Sequence, residues 1–93
     1  MTTVLARFQV ADYDAFRPGY DRALAAFSDI RSYRVWRGED DPNLVVITET
    51  FDSRDVAETT WTSPATKEAM ISDGVDMTSL RIDYLDEVDS GTR

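Results

Sequence analysis

Ser32-Tyr-Arg-Val-Trp-Arg-Gly-Glu-Asp-Asp-Pro-Asn-Leu-Val-Val-Ile-Thr-Glu-Thr-Phe51 is the stretch that decides the fold. Two runs rich in β-branched and aromatic residues flank Gly38-Glu39-Asp40-Asp41-Pro42-Asn43, a cluster of turn formers. That is the sequence form of an antiparallel hairpin, expected from about Ile30 to Phe51. One helix-like and one strand-like segment lie on each side of it.

Upstream, residues 3 to 10 alternate as a first strand, with Val4, Ala6, Phe8 and Val10 on one face and Leu5, Arg7 and Gln9 on the other. Asp12 can cap the helix that follows. Phe16, Tyr20, Leu24 and Phe27 form its apolar stripe. Pro18 and Gly19 fall inside the pattern, so a short first turn, a kink and a main helix over 18–28 are expected. Downstream, Ser53 and Ser63-Pro64 read as two N-caps, which divides a second helix into pieces over 54–61 and 64–73, ended by Gly74. Leu80, Ile82 and Tyr84 alternate with Arg81, Asp83 and Leu85 in a last strand. Residues 90–93 form a polar tail.

Strand, helix, strand, strand, helix, strand with right-handed crossovers closes most compactly as an α+β, ferredoxin-like βαββαβ sandwich. Its antiparallel sheet has the order 4-1-3-2, with both helices on one side. The strands carry apolar residues on both faces: Val45, Ile47 and Phe51 oppose Leu44 and Val46, and Phe8 opposes Leu5. Two helices cover one face, so a second copy of the chain is expected on the other.

At 93 residues the chain is one expected domain, residues 1–93, with a thin core that a partner surface would help. Eighteen acidic against ten basic residues give a net charge of −8. That field repels phosphate backbones and anionic membranes, so neither nucleic acid nor membrane is an expected partner. The absence of cysteine and histidine removes thiolate chemistry, Cys-type metal sites and the usual neutral-pH proton shuttle. No run approaches the ~20 apolar residues of a membrane span. The N-terminus shows no signal pattern, so a cytoplasmic location is expected.

Val10-Ala-Asp-Tyr-Asp-Ala-Phe16, the hairpin segment Asp40-Asp41-Pro42-Asn43-Leu-Val-Val46, and Ser63-Pro64 leading to Glu68-Ala69-Met70 resemble the dimeric α+β barrel superfamily. Over about residues 3 to 88 the chain is similar to its antibiotic biosynthesis monooxygenase-like and polyketide cyclase-like members. The resemblance implies a homodimer whose two sheets face each other, with a pocket in each subunit between sheet and helices. It also implies a metal-free, cofactor-free monooxygenase or cyclase acting on an aromatic or polyketide-type molecule. The alternative is a non-catalytic ligand-binding or accessory homodimer, since function resides in sites grafted on folds. Such monooxygenases use a tryptophan on the second helix, an asparagine one turn before it and often an arginine on the last strand. Trp61 and Arg81 fit the first and third, whereas Ala57 stands at the asparagine position. Haem-degrading relatives need a histidine, and Ile71 occupies its place.

Trp61 can stack on a planar substrate or fill the core. Arg7, Arg81, Asp83 and Glu49 are expected on neighbouring strands and on a shared face, with Arg7 opposite Asp83. They form either an ion-pair network or a site in which an arginine binds an enolate and a carboxylate acts as base. Tyr84 and Tyr20 can donate phenolic protons, or belong to the core with their hydroxyls near the rim. Trp36 and Arg34 on one face of the hairpin's first strand, and Tyr33 and Arg37 on the other, could serve a pocket, but an edge strand and these residue types favour the dimer seam. The acidic loop Glu39-Asp40-Asp41 lacks the ligand spacing of a calcium site and reads as a solvated turn.

Overall fold

The computed structural model describes all 93 residues. They form β1 (Thr2–Val10), α1 (Tyr13–Ala26), β2 (Ser32–Arg37), β3 (Leu44–Phe51), α2 (Arg54–Trp61), α3 (Pro64–Ser72) and β4 (Val75–Leu85). The four strands make one antiparallel sheet in the order β2-β3-β1-β4, the 4-1-3-2 order read from the other edge.

Strand parity builds the core. Val4, Ala6, Phe8 and Val10 of β1, and Val45, Ile47 and Phe51 of β3, are all buried. Phe16 and Tyr20 of α1, Met70 of α3 and Val75 of β4 pack on the central part of this surface, while Ala57 of α2 joins Val4 and Phe51 in a second cluster. Burying a phenylalanine, valine or isoleucine contributes about 1.5–3 kcal/mol. The sheet face behind the helices is therefore where stability is concentrated, and any pocket must be carved from it.

Three local expectations are revised. Asp12 occupies the N-cap position of α1 with extended backbone, yet its carboxylate makes no capping bond. Asn43, from the hairpin loop, replaces it: its Oδ1 accepts from the Tyr13 amide at 3.1 Å, and its carbonyl accepts from the Val10 amide at 2.9 Å. Asn43→Ala should therefore cost about 1 kcal/mol in urea unfolding, whereas Asp12→Ala should stay within about 0.5 kcal/mol. Secondly, α1 is one helix from Tyr13 to Ala26 with Pro18 inside it, rather than a turn, a kink and a helix. Phe16 precedes Pro18 and Tyr20 follows it, and both are anchored in the same core cluster, so packing holds the helix through the missing amide. Thirdly, β4 begins at Val75, not near Leu80, and its pairing with β1 shifts between Arg7 and Gln9. At that bulge the Ser79 hydroxyl accepts from the Gln9 amide at 2.9 Å.

The two serine caps do form, Ser53 accepting from the Val56 amide and Ser63 from the Thr66 amide. Gly74 ends the second helical pair at φ 85°, a left-handed geometry that suits glycine.

Candidate functional site

Glu49 lies on β3 between Ile47 and Phe51, so parity turns its carboxylate toward the helices, where it is 2% exposed. It is the one charged residue in the buried set. Each oxygen has its own donor. The Tyr20 hydroxyl donates to Oε2 at 2.5 Å, and the Trp61 indole Nε1–H donates to Oε1 at 2.9 Å. Such short O–H···O contacts are typical of charge-assisted bonds. No arginine or lysine forms a salt bridge with it.

Burial is therefore the dominant influence and pushes the Glu49 carboxyl above the ordinary glutamate value; the bonds from Tyr20 and Trp61 act in the opposite direction. Burial, and then the adjacent Glu49 charge, drive the Tyr20 phenol far above its usual range, so it stays protonated. The result is a carboxylate that accepts a proton readily, with a phenol as its immediate neighbour.

Tyr20 and Trp61 also wall a partly open apolar cavity with Phe8, Phe16, Ile47 and Met70. Its volume is about 40 Å³. At ~10–15 Å³ for one water, it holds about three water molecules, well below the ~300–1,000 Å³ of ordinary ligand pockets. Glu49 does not line it; Tyr20 and Trp61 stand between the carboxylate and the empty space.

The four strand residues expected on one face are divided. Glu49 faces the helices, whereas Arg7, Arg81 and Asp83 lie on the opposite, open face and are exposed. The expected Arg7–Asp83 pair does not form, because the register sets Arg7 opposite Arg81 and Leu5 opposite Asp83. A two-residue difference in register preserves the face and changes the partner. Arg81 instead donates from Nη1 to the Leu80 carbonyl at 2.8 Å. Tyr84 shares the helix-facing side with Glu49, but it sits in the second cluster beneath the Arg54 guanidinium, which lies 4.6 Å from its ring. Ala57 is fully buried against Val4 and Phe51.

The four seam candidates are also divided. Tyr33 and Arg37 face the helices: Tyr33 meets the Tyr20 ring edge-on at 6.2 Å between centroids, and Arg37 stacks 4.1 Å over the Tyr13 ring. Arg34 and Trp36 face the open side, in rows Arg34–Thr48–Leu5–Asp83 and Trp36–Val46–Arg7–Arg81 across the sheet. Trp36 is 46% exposed and Leu85, on the same face, 43%.

The sequence reading did not couple Tyr20 to Glu49. The available signal was that Tyr20 carries the one hydroxyl on the stripe Phe16, Tyr20, Leu24, Phe27, while Glu49 is the one charge on the apolar parity of β3. No group of three or more carboxylates converges as a metal site would require.

No protein-family profile and no curated protein matches the chain. Solved structures do. A single-residue variant of SnoaB, a cofactor-independent oxygenase from Streptomyces nogalater, is similar over 96% of this chain and 94% of its own, with 15% identity and a TM-score of 0.77. An antibiotic biosynthesis monooxygenase covers 96% of this chain with all of its own at 16% identity and a TM-score of 0.73. Rv0793 from Mycobacterium tuberculosis covers 98% of each chain at 20% identity and a TM-score of 0.68. The chain has the fold of the antibiotic biosynthesis monooxygenase-like proteins, matched end to end. At such identities the likeness shows the fold alone.

Proposed function

We propose that this protein is a cofactor-independent enzyme, of monooxygenase or cyclase type, acting on an aromatic or polyketide-type small molecule between sheet and helices. The observation that carries the reading is the buried Glu49 carboxylate held by Tyr20 and Trp61 at the wall of an apolar cavity. A buried acceptor with a raised pKa is suited to removing a proton from a weakly acidic carbon or phenol. Because Tyr20 lines the cavity and Glu49 does not, the proton passes to the Tyr20 oxygen while Tyr20's own proton crosses to Glu49. The substrate is left as an enolate. In an oxygenase, dioxygen then adds at carbon and a proton returns; the hydroperoxide loses water, so a methylene and one dioxygen give a carbonyl and one water. In a cyclase, the same enolate attacks a carbonyl of its own chain. Trp61 supplies the stacking surface in either case. Arg7, Arg81 and Asp83, on the open face, have no part in this step.

The cavity of about 40 Å³ favours a second reading, a non-catalytic binding or accessory protein that accepts a ligand by opening. Oxygen uptake and product formation with anthrone- and polyketone-type compounds, run beside thermal stabilisation by the same compounds, separates the two. Turnover supports the enzyme; stabilisation without turnover across the set supports the binder.

We further infer a homodimer in a single cytoplasmic domain. Leu5, Leu44 and Val46, with Trp36 and Leu85, give the open sheet face an apolar character that the helices leave uncovered. A second copy laid face to face would remove it from water. Trp36→Lys is expected to shift light-scattering mass from dimer toward monomer with little loss of secondary structure. A wild-type monomer at micromolar concentration would end that inference.

A further inference from the structure

The cavity continues past its walls. Ala23, Phe27, Ala69 and Asp73 line it, and the same four residues line an outer groove of about 310 Å³ between α1 and α3. They are thus a thin partition between the two spaces, and Asp73 is its one charged member. Asp73 closes α3, with its side chain 12% exposed and Arg22, its ion-pair partner, 3.8 Å away and 75% exposed. The carboxylate rests directly on Gly19 of α1. A Cβ at residue 19 would lie 2.1 Å from Asp73 Cγ, so only glycine permits this contact. Glycine inside a helix costs about 1 kcal/mol relative to alanine, which sets a stability cost against the close approach. Burial holds the Asp73 carboxyl above its ordinary value, with Arg22 acting against it.

We propose that the α1–α3 groove is the mouth of the cavity and that Asp73 is its selective gate. The ligand is then a neutral, hydroxylated, elongated aromatic, with its ring against Trp61 and Phe8 and its hydroxyl end in the groove at Asp73. This rests on the cavity being the ligand site proposed above, and it resolves the volume conflict, because the groove supplies the room the inner space lacks. A hydroxyl donated to Asp73 satisfies a poorly solvated acceptor. A ligand carboxylate in the same place meets a like charge, while Arg22 remains mostly in solvent. Asp73 is held by one long ion pair, so its side chain is free to swing away from the shared wall while Ala23, Phe27 and Ala69 stay in place.

The test uses the full chain in a Trp36→Phe background, where Trp61 is the remaining indole. Stopped-flow quenching of Trp61 is followed with dihydroxyanthraquinone and with anthraquinone carboxylate. Ala65→Phe, at an exposed position on the groove wall, is expected to slow dihydroxyanthraquinone association about tenfold. Asp73→Asn is expected to reduce the preference for the hydroxylated over the carboxylated probe about tenfold. Unchanged rate and unchanged preference, with quenching intact, would place the mouth elsewhere and overturn this inference while the cavity reading stands. Absence of any quenching in the parent protein would overturn both. Circular dichroism checks folding, and if Asp73→Asn fails to fold, the Ala65→Phe rate decides.

Discussion

Glu49→Gln is expected to lower turnover about 10²–10⁴-fold, the range for loss of a positioned proton acceptor, while the protein remains folded. Glutamine keeps the shape, and its amide oxygen still accepts from one of the two donors, but it cannot take a proton at neutral pH. The same substitution alters stability in a defined direction. The Glu49 carboxyl lies above its ordinary 4.5 in the folded protein. Between that value and the raised one, the folded state holds a proton that the unfolded chain has released. Stability contributed by the protonated form is therefore complete below 4.5 and lost as pH rises through the folded pKa. Glu49→Gln removes this decline, so in urea titrations the variant's stability should stay level over the pH range in which the parent's falls. Glu49→Leu should behave differently, because it leaves the Tyr20 hydroxyl and Trp61 indole without an acceptor, at about 1–3 kcal/mol for each buried donor. A decline with pH that persists in Glu49→Gln would assign the effect to another group.

Phe8→Ala should produce the largest loss of stability, about 3–5 kcal/mol by the usual cost of emptying a buried aromatic site. Phe8 is 1% exposed, meets Phe16 edge-to-face at 5.5 Å between ring centroids, and forms part of the cavity wall. A chain of 93 residues has roughly 5–14 kcal/mol in all, so the substitution removes a large share of it. The existing cavity makes collapse onto the vacated space incomplete, which places the cost toward the upper end. Phe8→Leu should cost less and widen the inner space; tighter binding of a tricyclic aromatic by that variant would show that volume limits access. Urea midpoints for the pair, with unchanged slopes, check the stability half of the prediction.

The sequence carried the element order and both serine caps through local signals, namely turn residues at Gly38–Asn43, serine before the helical pieces and period-two alternation in the strands, and the sheet order followed from the handedness of the crossovers. What it did not carry was long-range. The Arg7–Arg81 pairing depends on a bulge at Ser79, and nothing in the alternation of residues 80–85 reveals where β4 enters the sheet. Asn43 replaces Asp12 as the cap of α1 from 30 residues away. Glu49 is the instructive case. Its parity with Ile47 and Phe51 was readable, but linking that face to the helix side and away from Arg7 required the register between strands. Tyr20 and Trp61 could be placed on helices from their spacing; their convergence on one carboxylate is a property of packing alone.

In the proposed mechanism Glu49 receives a proton from a bound aromatic substrate through Tyr20. Deuterium incorporation at the methylene of anthrone in heavy water, under nitrogen, reports that step without the oxygen chemistry that follows it. The wild-type protein should accelerate incorporation well above buffer, and Glu49→Gln should return it to the buffer rate. Equal acceleration by both proteins, or none by the wild type, would rule out proton transfer through Tyr20 to Glu49.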